Sequence, residues 1–199
     1  NQINLVVHVY GDPDFSEATP PNVCLGQNGT IDATVTDQTL SANCAPPVVG
    51  TTFLPDGDGA IYTTCINVSC YDPADTITSV NDIVDICLNM EHSYFGDLDV
   101  IIIAPDGQQA MLVDNNAINN PSIYLGEPFD DNDNATDVAL GPGTGYDYCF
   151  SMSGATTLTN APTVNSGNSL AGGTYLPDES FASLIGSPLN GEWCIMVRD

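Results

Sequence analysis

The sequence predicts an all-β protein of the sandwich or jelly-roll class, and three observations carry that reading. Short β-branched runs recur along the chain, separated every few residues by Gly, Pro, Asn, Asp, Ser and Thr. Turn residues at that spacing punctuate the strands of a sandwich. Helical periodicity is nearly absent, and the best helical stretch is Asp178 to Leu184, one or two turns after Pro177. Hydrophobic residues make up 42% of the 199 residues, which is enough for a sizeable core and too much for a disordered acidic tail.

The strands follow in order. Residues 3–10, INLVVHVY, read as a strand closed by the turn GDPDF. A Pro-rich joint, TPPNV at 19–23, leads into the alternating VCLGQNGTIDATVTD, and APPVVG at 45–50 is a second joint. These joints divide the chain into residues 1–18, the last strand of a preceding domain, residues 19–50, an opening segment with its linker, and residues 51–199, one larger domain. Within the larger domain AIYTTCINV (60–68) is a strand, and residues 76–92 hold one or two more. There Val84, Ile86 and Leu88 share one face while Asp85, Cys87 and Asn89 share the other. The apolar run LDVIIIAP (98–105) and QAMLVD (109–114) form a hairpin about the turn PDGQ. A long Asn- and Asp-rich loop covers about 115 to 145, YDYCFSM (146–152) is a strand, residues 153–173 form a second long loop, and GEWCIMVRD (191–199) closes the domain.

Charge narrows the function. There are 26 Asp and Glu against one basic residue, Arg198. Nucleic acid and anionic lipid both require Lys and Arg, so neither is a partner of this surface. A single Arg leaves the carboxylates to solvent cations or bound metal. The plain alternative is that most of them only solvate the surface. Seven cysteines (24, 44, 65, 70, 87, 149 and 194) form no CxxC pair and have no cluster of His beside them, which argues against zinc and for disulfides in an oxidising, extracellular compartment. Cys24 and Cys44 are placed to close a loop, and the odd count leaves at least one cysteine free or paired outside the chain. No apolar run is long enough to span a membrane, and the chain begins without Met or a signal peptide; it reads as a piece of a longer secreted polypeptide.

Three fragments carry a family resemblance: His92 and Gly96-Asp97-Leu98 in EHSYFGDLDV, the strand-turn IIIAPDGQQAMLV with Pro105 and Gly107, and the closing GEWCIMVRD with Trp193, preceded by Phe181 and Gly186. In this order over roughly residues 52–199 they resemble the P domain that follows the catalytic domain in proprotein convertases and many bacterial subtilases. The longer run is similar to P-domain-like modules of giant secreted surface proteins of Bacteroidota, which alternate with immunoglobulin-like or PKD-like domains. VCLGQNGTIDATV is similar to the opening of such immunoglobulin-like repeats. The resemblance implies a jelly-roll-like sandwich with a partial immunoglobulin-like segment before it, and a structural role for His92. Family members continue past the V-x-D strand into one more strand, whereas this chain stops at Asp199. The expectation is an open edge there, filled by a neighbouring segment or chain.

Calcium takes six to eight hard oxygens, which alternate loop residues can supply. Three clusters qualify. The densest is Glu127 with Asp130, Asp131, Asp133 and Asp137; it is no EF-hand, since Ala135 stands where the Gly and Gly141 where the bidentate Glu would be. The second is Asp56-Gly57-Asp58-Gly59, and the third is Asp97 and Asp99 with Glu91. For each the plain alternative is a solvated loop, and for Asp97 a structural role. No GxSxG or subtilase motif is present, and the sole Trp reads as core. Asn28, Asn67 and Asn134 open N-x-Ser/Thr patterns that arise by chance in such a composition. The sequence therefore points to a non-catalytic, calcium-stabilised module of a large bacterial cell-surface adhesin or filament, whose partners are neighbouring domains or subunits of the same protein. The alternatives are an accessory domain of a secreted subtilase-type protease and a calcium-dependent module binding surface glycans.

Overall fold

The architecture is that of a computed structural model, which describes residues 8–10, 39–41, 52, 54, 59–114, 123–128 and 142–199. The chain divides into two compact units, Val7–Ala42 and a larger one of Asn1–Val6 with Asn43–Asp199. In the smaller unit β1 (His8–Tyr10) pairs antiparallel with β2 (Thr39–Ser41). The expected Cys24–Cys44 closure and most of residues 1–50 lie outside the described residues.

The larger unit is all-β. Its strands are β3 (Ile61–Val68), β4 (Ile86–Met90), β5 (Asp99–Ile103), β6 (Gln109–Val113), β7 (Tyr124–Leu125), β8 (Tyr146–Phe150), β9 (Thr163–Val164), β10 (Ser169–Leu170), β11 (Gly173–Tyr175) and β12 (Gly191–Arg198). A four-stranded antiparallel sheet runs β3-β12-β5-β6. A three-stranded sheet runs β11-β8-β4, with β8 and β11 parallel. A small third sheet, β7-β10-β9, stands beside them.

Period-2 alternation builds the core. Ile86, Leu88 and Met90 of β4 and Tyr148 and Phe150 of β8 are buried together with Val100 and Ile102 of β5 and Ile195 and Val197 of β12. Opposite-facing residues alternate along each strand, so every second side chain enters the sandwich. β5 is the exception that its sequence announces: lying between β12 and β6, it is buried at every residue from Asp99 to Ile102. Val84 falls outside β4 and is 46% exposed, so the shared face begins at Ile86. The β5–β6 hairpin turns at PDGQ with Gly107 at φ +87°, a conformation only Gly adopts without strain. Trp193 is half-buried against the core and donates its indole N–H to the Leu189 carbonyl at 3.1 Å.

Two bridges tie opposed residues of neighbouring strands. Cys65–Cys194 links β3 to β12 and Cys87–Cys149 links β4 to β8. Cys70 is also disulfide-bonded.

Three expectations change. The stretch from Asp178 forms only a 3-10 turn, Phe181–Leu184, capped by Ser180, because Asp178 and Glu179 donate their amides to Leu112 and Met111 of β6 instead of starting a helix. The second loop contains β9 and β10, too short to show a period. The closing strand is no open edge: β12 is interior, flanked by β3 and β5, and its ladder continues through Asp199, whose N–H donates to Ala60 O and whose carbonyl accepts from Gly59 N–H.

Candidate metal centre

The topology gathers strand ends at one end of the larger unit. β4 finishes at Met90 opposite Tyr146, where β8 begins. β12 finishes at Arg198 opposite Asp99, where β5 begins, and opposite Ile61, where β3 begins. The segment after β4 is pinned by reciprocal His92–Leu125 backbone bonds, both 3.0 Å. His92 Nε2 then lies 3.6 Å from Asp199 Oδ1, joining the end of one sheet to the end of the other.

His92, Asp97 and Asp199 bring ligand-type atoms within 4.8 Å of one another. Asp97 ends a 3-10 turn, Phe95–Asp97, anchored by the buried Phe95 and Leu98, and its Oδ1 is withdrawn from solvent. The imidazole settles what this trio can do. His92 Nδ1 accepts the Tyr94 N–H at 3.1 Å, so in the neutral ring the proton sits on Nε2, which faces Asp199. A histidine that ligates through Nε2 presents a lone pair there and donates from Nδ1. The arrangement is reversed here: His92 turns Nε2 toward Asp199 at 3.6 Å with Nδ1 already accepting a backbone N–H, an orientation that suits a link between the two sheets better than a metal ligand.

Carboxylates stand around it. Asp99 is 1% exposed and forms an ion pair with Arg198, so this acid serves the one Arg of the chain. Glu91 accepts the Gly143 N–H at 3.3 Å. Glu127 is exposed; it exchanges two 2.8 Å backbone bonds with Thr144 and accepts from the Tyr146 hydroxyl at 2.7 Å and the Asn165 amide at 3.1 Å. The bond to Glu127 holds the Tyr146 phenol above its ordinary range. The Glu127–Thr144 pair forms the stem of the loop carrying Asp130, Asp131, Asp133 and Asp137. Those four, with Asp56 and Asp58, lie outside the described residues. Their described flanks, Glu127, Gly143 and Gly59, all stand at this end of the unit.

Of the sequence-singled residues, the structure brings Asp97 beside His92 and Asp199, places Glu91 at the loop stem with Glu127, and turns Asp99 to Arg198. Sequence reasoning missed Asp199, Tyr146 and Asn165 as members of this constellation. Asp199 carried a signal, as the final residue of the V-x-D pattern; the other two carried none. A second cluster of ligand atoms, Cys65, Glu192 and Cys194, has both sulfurs committed to a disulfide.

Comparison with family models, with curated proteins and with solved structures finds no match.

Proposed function

We propose that this chain is a non-catalytic structural and interaction module of a large bacterial cell-surface adhesin or filament. Calcium would stiffen the acidic loops at one end of a jelly-roll-like, P-domain-like sandwich. The observation that carries the reading is the meeting of Asp97 and Asp199 with His92, ligand-type atoms within 4.8 Å of one another, on the unit whose Glu127–Thr144 and Gly59–Asp199 bonds hold the stems of two acid-rich loops. Hard oxygens drawn from several loops suit calcium, which tolerates six to eight ligands in flexible geometry. Asp56, Asp58, Asp97, Glu127, Asp130, Asp131, Asp133 and Asp137 would hold the ion, while Asp99 remains with Arg198. Disulfides and the absence of a long apolar helix among the described residues accord with an extracellular setting.

A thermal melt with calcium and with chelator tests this. A ligand bound only by the native state adds about 2.7 kcal/mol at a hundredfold excess over its Kd. A melting midpoint that chelator leaves unchanged removes the metal from the proposal.

A further inference from the structure

The two outer strands of the four-stranded sheet are treated differently. β6 is covered: the Asp178 and Glu179 N–H groups donate to Leu112 O and Met111 O at 3.2 and 2.9 Å. The Glu179 carboxylate accepts the Met111 N–H at 3.0 Å, and the Ser183 hydroxyl donates to Gln109 O at 2.7 Å. β3, at the opposite edge, pairs with β12 on one side and with nothing on the other among the described residues. It is eight residues long, Ile-Tyr-Thr-Thr-Cys-Ile-Asn-Val, with no charge and no Pro. Those are the devices that blunt an edge against pairing with another chain. Beneath it an apolar cleft of about 30 Å³ opens between the sheets, lined in part by Leu54, Tyr62, Thr64, Leu88 and Met90. Its other lip is β4, the outer strand of the three-stranded sheet.

We propose that β3 is a strand-addition site for an extended segment of a partner protein, apolar at alternate positions and basic at its ends. Ladder bonds to an edge supply affinity, and a pocket for alternate side chains supplies specificity. The cleft is sized for a short aliphatic side chain. Charge decides the rest of the occupant. Asp199 is bonded to Gly59 at one end of β3, and Asp72 and Asp75 follow its other end. The chain carries a net charge of −25 with a single basic residue, so a second copy is repelled and a basic-ended strand attracted. This inference rests on the interaction-module reading and fails separately from it, because the calcium melt does not involve β3.

The test uses the full chain and the synthetic peptide Lys-Val-Thr-Val-Thr-Val-Thr-Lys, followed by hydrogen exchange of residues 61–68. The peptide should slow exchange of the β3 amides that point away from β12 at least about tenfold. Replacing both Lys by Glu should weaken binding at least about tenfold at an ionic strength of about 0.02 M. N-methylating the peptide along one edge should abolish binding, and Thr64→Leu, which fills the cleft, should weaken it. The proposal is overturned if millimolar peptide leaves exchange unchanged or if the N-methylated peptide binds equally. It is equally overturned if the β3 amides that point away from β12 are already protected in the free protein, or if the protein alone dimerises through β3 in sedimentation.

Discussion

Replacing either cross-strand cysteine pair by alanine should remove a large share of the stability without removing one ladder bond. In both bridges the opposed Cα atoms are 4.0 Å apart on strands already paired by their backbones. The native sheet therefore loses little, and the effect falls on the unfolded chain. Cys65–Cys194 spans 129 residues and encloses Cys87–Cys149, which spans 62. With the inner bridge intact, the outer one closes a path of about 67 residues, whose loop entropy is worth about 4.4 kcal/mol. With the outer bridge intact, Cys87 and Cys149 are already tethered through that path, so the inner bridge adds somewhat less, about 3.7 kcal/mol. The Cys65→Ala/Cys194→Ala and Cys87→Ala/Cys149→Ala variants should thus each lose about 4 kcal/mol, and the fourfold variant about 8–9, against a total of about 5–15 for an ordinary domain. Guanidinium titration followed by the fluorescence of Trp193, the single Trp, measures this. The slope of stability against denaturant should rise as the freed chain expands. A loss below about 1 kcal/mol with an unchanged slope would refute the reasoning, since it would mean that the unfolded chain is compact without its bridges.

Other perturbations follow from single contacts. Tyr148→Phe removes a hydroxyl that donates to Leu170 O at 2.9 Å and accepts the Gly126 N–H at 2.8 Å; two buried backbone groups lose a partner, and a melt should report a loss of about 1–3 kcal/mol. The same burial pushes the Tyr148 phenol up to about 12, so ultraviolet titration should find one tyrosine ionising well above the ordinary phenol range, and Tyr148→Phe should remove that step. Gly126→Ala places a Cβ 2.4 Å from Thr144 O at φ +59°; it should cost about 2 kcal/mol or more and lower calcium affinity, because the stem of the acidic loop must shift. The Asp82 carboxylate accepts from Thr78 N–H, Thr78 Oγ1 and Ser79 N–H at 2.8, 2.9 and 3.0 Å. The Thr78 N–H, the largest cause, helps hold its acid below the usual range. Its folded pKa being depressed, the stability it contributes is present above the unfolded pKa and disappears as pH falls through the folded one. Asp82→Ala should cost under about 1 kcal/mol at neutral pH and nothing in acid, which urea titrations at two pH values check.

Much of the larger unit was legible because its signals are periodic or stereochemical. The run from Leu98 to Ala104 reads as a nearly continuous apolar strand, and β5 is buried from Asp99 to Ile102 with both its edges paired, to β12 and β6. Pro105-Asp106-Gly107 reads as a turn, and Gly107 takes the positive φ that such a turn requires. What failed was tertiary in origin. Asp178 and Glu179 follow a Pro and look like a helix start, yet the edge of β6 offers carbonyls that a first helical turn does not. β9 and β10 are two residues each, below the length at which alternation is visible. The place of β12 inside its sheet could not be read from the last strand of the sequence, since strand order depends on partners far along the chain.

The acidic end shows why composition alone could not divide the carboxylates by role. Asp97 and Asp99 are two residues apart and read alike, as loop oxygens near a motif. In the structure Asp99 opposes Arg198 across the β5–β12 ladder and neutralises it, while Asp97 remains on the preceding turn beside His92 and Asp199. Register made that separation. His92, in turn, has the residue type of a metal ligand, and it is the Tyr94 N–H on Nδ1 that makes its other nitrogen a donor. Under the proposed calcium reading, Asp97 and Glu127 are the described carboxylates that would meet the ion. Asp97→Asn and Glu127→Gln should therefore each weaken calcium binding, whereas Asp99→Asn, which leaves Arg198 without its partner, should lower the chelator-treated melt as well.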